Sequence, residues 1–512
     1  MVCDSSHRHA QGAWAVARVR AAEQALIGRV PASVLMRRAA FGLATRAAAV
    51  LAQRTGGVFG RHVVLLVGAG NNGGDTLWAG AYLRRRGVAV TAVLLDPQRA
   101  HPQGLAALLR AGGRIADQLP DRAHLVLDGI VGLSGCGGLR PAAARLVAAV
   151  EVPIIAVDSP SGVDPDTGTA QGPAVTATET VTFGARKPVH LLAPWRCGPV
   201  HLVDIGLLGE LGEPDLGVLT AAEIGALWPV PGPTSDKYTQ GVVGIAAGSA
   251  DYPGAAVLCA GAAVLATSGL VRFAGTAADA VRGRWPEVVA TGSVSDAGQV
   301  QAWAVGPGLG TGAAGRHALA HVLAAGVPVV ADADAITLLA RYPELADNRD
   351  PGTPLVLTPH DREFERLTGT LPGTDRVTAA RDAARRCAAV LVLKGHTTIV
   401  AAPDGRVLVN PARSSWPATA GSGDVLTGVL GALLAAGLEP VIAAAAAVHA
   451  QELAAAIAAQ GSISSPAADG GISSAAADGG ISSAAPAPAS AIQAALTDAI
   501  RTLRCAAQMP QM

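Results

Sequence analysis

Short, uninterrupted apolar runs alternate with longer stretches in which apolar residues recur every three or four positions. In the first part of the chain, HVVLLVG (62–68), VAVTAVLLD (88–96), HLVLDGI (124–130) and VPIIAVDSP (152–160) are rich in Val, Leu and Ile. Runs of that length without polar interruption predict strands buried on both faces, as in a parallel sheet. Val19–Arg54 has helical periodicity punctuated by Pro31. A loose tail is expected over 1–18, a first α/β domain over 19–206, and a linker over 207–218, where LLGELGEPDLG is rich in Gly, Glu and Pro.

The pattern then resumes. GVVGIAAGS (241–249), AWAVGPGLG (302–310), VPVVADADA (327–335), PLVLTPH (354–360) and AVLVLKGHTTIVAA (389–402) predict the strands of a second α/β domain, over 219–512. The most apolar stretch, 425–450, is broken by Glu439 and Pro440, so it predicts two buried helices rather than a membrane span. Ile463, Ile472 and Ile481 open near-identical segments of a low-complexity loop over 461–489, read as disordered. SAIQAALTDAIRTL (490–503) is an amphipathic helix expected to dock on the second domain.

Composition narrows the function. At 512 residues, more than one domain is expected, and 39 basic against 39 acidic residues give a formal net charge of +0. That balance argues against a nucleic-acid partner. The six cysteines are scattered without a C-x-x-C pair, and the polar opening MVCDSSHRHAQG does not resemble a signal peptide. A cytoplasmic protein with reduced thiols and no membrane association is expected. His7 and His9 read as terminal residues rather than metal ligands. Of the 39 basic residues only Lys187, Lys237 and Lys394 are lysines, each within a motif-like stretch where a compact ammonium has a use that arginine lacks.

Candidate chemistry gathers at the carboxyl ends of the strands. Gly68, Gly70 and Gly73 fit G-x-G-x-x-G, a dinucleotide-binding pattern, with Asp96 closing the next run. Yet GNNGGD (70–75) crowds two amides and a carboxylate into that loop, and no catalytic His or Tyr motif for hydride transfer accompanies it. With LDGIVGLSGCGGLR (127–140) and VDSPSGVDPDTG (157–168), it offers Asn72, Asp75, Asp128, Asp158, Ser161 and Asp164. Such an oxygen-only set suits a hard cation or a polar ligand; alternatively, the carboxylates brace turns and cap helices. In the second domain, ATAGSGDVLTGVL (418–430) starts a helix with a phosphate-ready turn and Asp424 beside it as a general base. Lys394 ends a strand as a point charge for a phosphate, His360 and Glu363 open a helix, and GPGLG (306–310) is a further glycine loop.

NNGGD, DSPSGVDPDTG, GPGLG, DADA, TPHDREFERL, KGHTT and GSGDVLTG, in that order, resemble the bifunctional NAD(P)H-hydrate repair enzymes from about Val19 to His449. The resemblance implies a doubly wound, Rossmann-like epimerase domain followed by a ribokinase-like, ADP-dependent dehydratase domain. The damaged dinucleotide, NADHX or NADPHX, would be substrate rather than redox cofactor. The first domain would interconvert its R and S forms, and the second would dehydrate the S form with ADP. Carried onto this sequence, Asn71, Asn72, Gly73, Gly74 and Asp75 would contact the hydrate, with Gly132, Leu133, Ser134, Gly135, Cys136, Gly137, Gly138 and Asp158. Asn72, Asp128 and Ser161 would hold potassium. Ala255, Gly308, His360 and Asp424 would contact the hydrate in the second domain; Lys394, Gly395, His396, Thr397, Thr398 and Gly423 would contact the nucleotide, with magnesium accompanying ADP. Asp158 and Asp424 would be catalytic, and a homo-oligomer is expected. Thr76 stands where the family more often has glycine. A ribokinase-like small-molecule kinase and a non-catalytic nucleotide sensor are the competing readings.

Overall fold

The computed structural model describes residues 12–133, 135, 137–267, 269–412, 414–460 and 484–509. These divide into two compact units, before and after Gly217–Val218.

The first unit is built on β1 (His62–Val67), β2 (Ala89–Leu94), β3 (Arg114–Ala116), β4 (Leu125–Gly129), β5 (Ile154–Val157), β6 (Glu179–Phe183) and β7 (Val200–Val203). Their order is β3-β2-β1-β4-β5-β6-β7, and every pair is parallel. Leu65, for example, lies opposite Ala92 on one side and Leu127 on the other. Alternation along β1 supplies two cores. Val63, Leu65 and Val67 pack with the Val16–Ile27 and Ala32–Thr55 helices, whereas Val64 and Leu66 face a second cluster with Ile130 and Ala143. Strand order reverses between β1 and β4, which opens the crevice in which such sheets bind ligands.

Two expectations are corrected. Residues 12–18 are not a tail: Ala13 bridges to Leu216, and buried Trp14 donates its indole N–H to Gly212 O at 3.1 Å. Ala15 N donates to the Asp215 carboxylate at 2.9 Å, and helix begins at Val16. Nor is 207–218 a free linker, because Leu207, Leu211 and Leu216 are buried in this unit. Its glycines and Pro214 read as linker chemistry, but three of its four leucines pack, Leu208 alone being exposed.

The second unit contains β8 (Val242–Ala246), β9 (Leu270–Ala274), β10 (Val289–Thr291), β11 (Ala302–Val305), β12 (Val329–Ala331), β13 (Leu355–Leu357), β14 (Val390–Leu393), β15 (Thr397–Ala401) and β16 (Val407–Pro411). They lie in the order β10-β9-β8-β11-β12-β13-β14-β15-β16. Only β14–β15 and β15–β16 pair antiparallel, so 389–402 is two strands joined at Lys394–His396. The Pro253–Ala266 and Ser422–Ala435 helices touch so closely that a Cβ on Gly428 would stand 2.1 Å from Cys259 O. One helix, Pro440–Gln460, is long and apolar enough to cross a membrane, but Ala443, Ala444, Ala447 and Val448 lie in the core of this unit. The terminal Leu496–Gln508 helix docks there through Leu496, Ala499 and Leu503. The three repeat-opening isoleucines lie outside the described residues.

Candidate active sites

In the first unit the glycine loop turns from β1 into the Asn71–Arg85 helix at the β1/β4 reversal. A Cβ on Gly68 would meet Ile130 O at 1.8 Å and one on Gly73 would meet Gly68 O at 2.2 Å, so both must be glycine. Gly70 has φ 105°, which side chains avoid. Asn71 is exposed, whereas Gly73, Gly74 and Asp75 are buried. Asn72 Nδ2 donates to Val157 O at 2.7 Å and to Val131 O at 3.4 Å, and Gly132 leaves room for that amide. Thr76, fully buried, donates to Asn72 O at 2.6 Å and fills the space that a Cβ on Gly129 would need. It therefore braces the loop against the end of β4.

Asp128, at the end of β4, accepts from Ser161 N at 2.9 Å and from Ser161 Oγ at 2.7 Å. Burial pushes its carboxyl up to about 6 despite these bonds. Ser161 Oγ also reaches Val131 O at 3.4 Å, so Asn72, Asp128 and Ser161 share one small neighbourhood. Its side-chain and carbonyl oxygens carry a single carboxylate, a donor chemistry that fits a large monovalent cation. Asp158, after β5, has φ 69°. Its Oδ1 accepts from Thr182 Oγ1 at 2.9 Å and pairs with the buried ammonium of Lys187, and its carbonyl meets His190 Nε2 at 2.8 Å. Lys187 was marked in the sequence by the scarcity of lysine and by its motif-like stretch, with no role assigned. Asp164 is a turn brace, accepting from Asp166 N and Thr167 N at 2.9 and 2.8 Å. Gly132, Leu133, Gly135, Gly137 and Gly138 follow β4, with Gly135 N bonded to Gly132 O at 2.9 Å; Ser134 and Cys136 lie outside the described residues.

In the second unit the order reverses between β8 and β11, and the polar groups again collect at strand ends. Gly308, with φ 59°, sits against Ala255: a Cβ there would approach that of Ala255 to 3.0 Å. Lys394 Nζ donates to Asp332 Oδ1 at 2.8 Å and lies 3.6 Å from Glu363 Oε2. Asp332 also accepts from Thr358 Oγ1 at 2.7 Å and Thr427 Oγ1 at 3.1 Å. Asp424 lies in the first turn of the Ser422–Ala435 helix, where burial and then the Asp332 charge push it up to about 7 against the pull of Lys394. A Cβ on Gly423 would stand 3.4 Å from Asp332 Oδ2 and 3.6 Å from Lys394 Nζ. Thus Gly423, Asp424, Lys394 and Asp332 converge at one free helix N-terminus.

His360 caps its own helix, its Nδ1 accepting from Arg362 N and Glu363 N at 3.1 and 3.3 Å, while half its side chain stays exposed. Gly395 and His396 form the turn after Lys394, and Thr397 and Thr398 begin β15 with both side chains buried. Asp332 carried no role from the sequence; its signals were its position at the end of the VPVVAD run and its place as the first residue of the DADA motif.

Residues 243–469 match the family model for NAD(P)H-hydrate dehydratase, and residues 32–189 match that for the YjeF-related protein N-terminus. The bifunctional NAD(P)H-hydrate repair enzyme Nnr of Mycobacterium tuberculosis is 55% identical over 435 residues, covering 84% of this chain and 91% of that one. The Nnr of Escherichia coli is 33% identical over 414 residues, covering 75% and 78%. Among solved structures, an ADP/ATP-dependent NAD(P)H-hydrate dehydratase from Bacillus subtilis is 27% identical, with a TM-score of 0.45 over 56% of this chain and 98% of that one. With both halves matched in order and most of the chain aligned at 55% identity, this protein belongs to the bifunctional NAD(P)H-hydrate repair enzymes, in which an epimerase half precedes an ADP-dependent dehydratase half.

Proposed function

We propose that the β1/β4 cluster binds the hydrated dinucleotide for epimerisation, and that the cluster around Asp424 binds the S hydrate beside ADP. The observation that carries this reading is Asp424, a half-buried carboxyl tuned to about 7 next to the Lys394–Asp332 pair. A general base works best with such a value near the operating pH. Hydroxide leaves poorly from the hydrate. Asp424 takes the proton of its hydroxyl, the oxygen attacks the terminal phosphorus of ADP, and AMP departs. The ring nitrogen's electron pair then expels phosphate, and the adjacent ring carbon gives up a proton to the departing phosphate as the ring double bond re-forms. The backbone N–H groups of Gly421 and Gly423 and the Lys394 ammonium face the charge that develops on the transferred phosphoryl group, whereas Ser422 N is taken by Thr419 O at 3.2 Å.

In the first unit, Asp158 serves as base toward the hydroxyl on the hydrated ring carbon, and the NNGGD and 132–138 loops cradle the dinucleotide. Potassium held by Asn72, Asp128 and Ser161 would supply fixed positive charge for the substrate's phosphates, and magnesium arriving with ADP would offset charge beside Asp424 and Asp332. We assign the protein to the cytoplasm, where its substrates are, as a homo-oligomer.

The test is Asp424→Asn. ADP should still bind, while AMP formation and NAD(P)H recovery from the S hydrate fall by roughly a hundredfold or more. Turnover within a few-fold of the parent would make Asp424 a structural residue, worth only about 0.3–1 kcal/mol at its helix end.

A further inference from the structure

Asp75 lies on the Asn71–Arg85 helix, two residues beyond Gly73, the last residue before the helical N–H bonds begin at Gly74, with 6% of its surface exposed. Among the described residues none hydrogen-bonds or ion-pairs with its carboxyl, so it neither caps the helix nor braces a turn. The charges facing it come from three directions: Asp158 after β5, Glu23 on the Val16–Ile27 helix, and Lys187 after β6. Lys187 is the one cation acting on Asp75, and the Arg20 guanidinium reaches Glu23 instead, so three carboxyls face two cations. Burial first, then Asp158 and Glu23, push Asp75 well above the usual carboxylate range against the pull of Lys187, and Glu23 is itself raised, chiefly by burial. Asp158 is placed differently. Its Oδ1 accepts from Thr182, from Phe183 N at 3.4 Å and from Lys187, and its Oδ2 has no hydrogen-bond partner among the described residues. Neighbouring carboxyls with contrasting surroundings divide acid from base.

We propose that Asp75 is a second catalytic residue of the epimerase half, the proton donor that works opposite Asp158. The proposal rests on the reading of Asp158 as base. Water adds to the enamine of a dihydronicotinamide at the carbon bonded to the ring nitrogen, so the hydrate is a hemiaminal. Asp158 takes the hydroxyl proton, and the O–H electron pair becomes the second bond of an aldehyde. The carbon–nitrogen bond breaks, its electron pair stays on nitrogen, and nitrogen takes the Asp75 proton. Rotation about the adjacent carbon–carbon bond presents the other aldehyde face. Nitrogen attacks that face and returns its proton to Asp75, while Asp158 returns its own to oxygen. Both groups regain their starting states, and no oxidant or reductant is consumed.

The test uses the full chain and purified R hydrate, with the spontaneous rate subtracted. Asp75→Asn keeps the shape and a donor but cannot give up a proton. Its kcat for R-to-S conversion should fall by roughly a hundredfold or more with KM within a few-fold, while dehydration of the S hydrate with ADP continues. The parent's kcat/KM should fall as pH rises and the donor deprotonates, a limb missing from the variant's residual rate. A rise in KM alone would make Asp75 a binding residue and overturn the proposal, as would a parent profile flat to alkaline pH, a result that needs no folded variant. Near-parent turnover in Asp75→Asn beside an inactive Asp158→Asn would overturn the donor and leave the base standing. Loss in Asp75→Asn beside an active Asp158→Asn would uphold the donor and overturn the base alone.

Discussion

Asp424 and Asp332 show why one half of a site can be read from sequence and the other cannot. Asp424 stands inside GSGDVLTG, where the glycines announce a helix start and the acid is the only carboxylate on offer. Asp332 opens DADA, a motif that marks the family without assigning the acid a role, and its importance comes from Thr358, Lys394 and Thr427, which lie on three other segments. The pair makes a pH prediction. Asp424 must be ionised to act as base, so the rate of S-hydrate dehydration should climb as pH rises through about 7. The same shift affects stability with a definite sign. Below about 4 the carboxyl is neutral in both the folded and the unfolded chain. Between about 4 and about 7 the unfolded chain ionises while the fold retains the proton, so stability is lost across that window and stays lost above it. At 1.36 kcal/mol per unit the loss is at most about 4 kcal/mol, less for the part of the group that water reaches. Asp424→Asn should therefore melt above the parent at pH 8 and level with it near pH 4. An unchanged difference across that range would mean that Asp424 is not a costly buried charge.

At the scale of elements, the strands legible in advance were those buried on both faces, such as β1, β4, β8 and β11, because nothing polar interrupts them. β3 is a three-residue edge with Arg114 and Ile115 exposed, and β6 alternates Thr180 and Thr182 with Val181. Neither has the continuous apolar signature that the others share. The glycine fingerprint was also legible, but its three glycines do different work. Gly70 meets nothing within 4 Å and needs only its positive φ, whereas Gly73 lies against the Gly68 carbonyl. Gly73→Ala has to push the helix start off β1, at about 1–3 kcal/mol for the overpacking, and it displaces Asn72 next door. Epimerisation should then fall at least tenfold in a chain whose S-hydrate dehydration is untouched. Equal epimerase rates in Gly73→Ala and the parent would show that the helix start can shift without cost to the site.

At the scale of the whole molecule, each unit has its own sheet and its own core, so the two activities should be separable by cutting the chain. A fragment 218–512 should dehydrate the S hydrate with ADP and leave the R form behind. Where to cut on the other side is the sharper question, because composition places the end of the first domain near Gly206 and packing places it at Gly217. The eleven residues between them carry Leu207, Leu211 and Leu216, all buried, together with the Gly212 carbonyl and Asp215 carboxylate that hold Trp14, Ala15 and Arg18. Each leucine is worth about 1.5–3 kcal/mol when fully buried. Removing three, and uncovering Trp14, takes away several kcal/mol from a domain whose total is on the order of 5–15. A fragment 1–217 should therefore melt cooperatively and convert the R hydrate to the S form. A fragment 1–206 should melt far lower or fail to fold, and thermal denaturation of the two side by side decides the matter. Equal melting temperatures would return residues 207–217 to the status of a linker and make the burial of Trp14 irrelevant to the stability of the epimerase half.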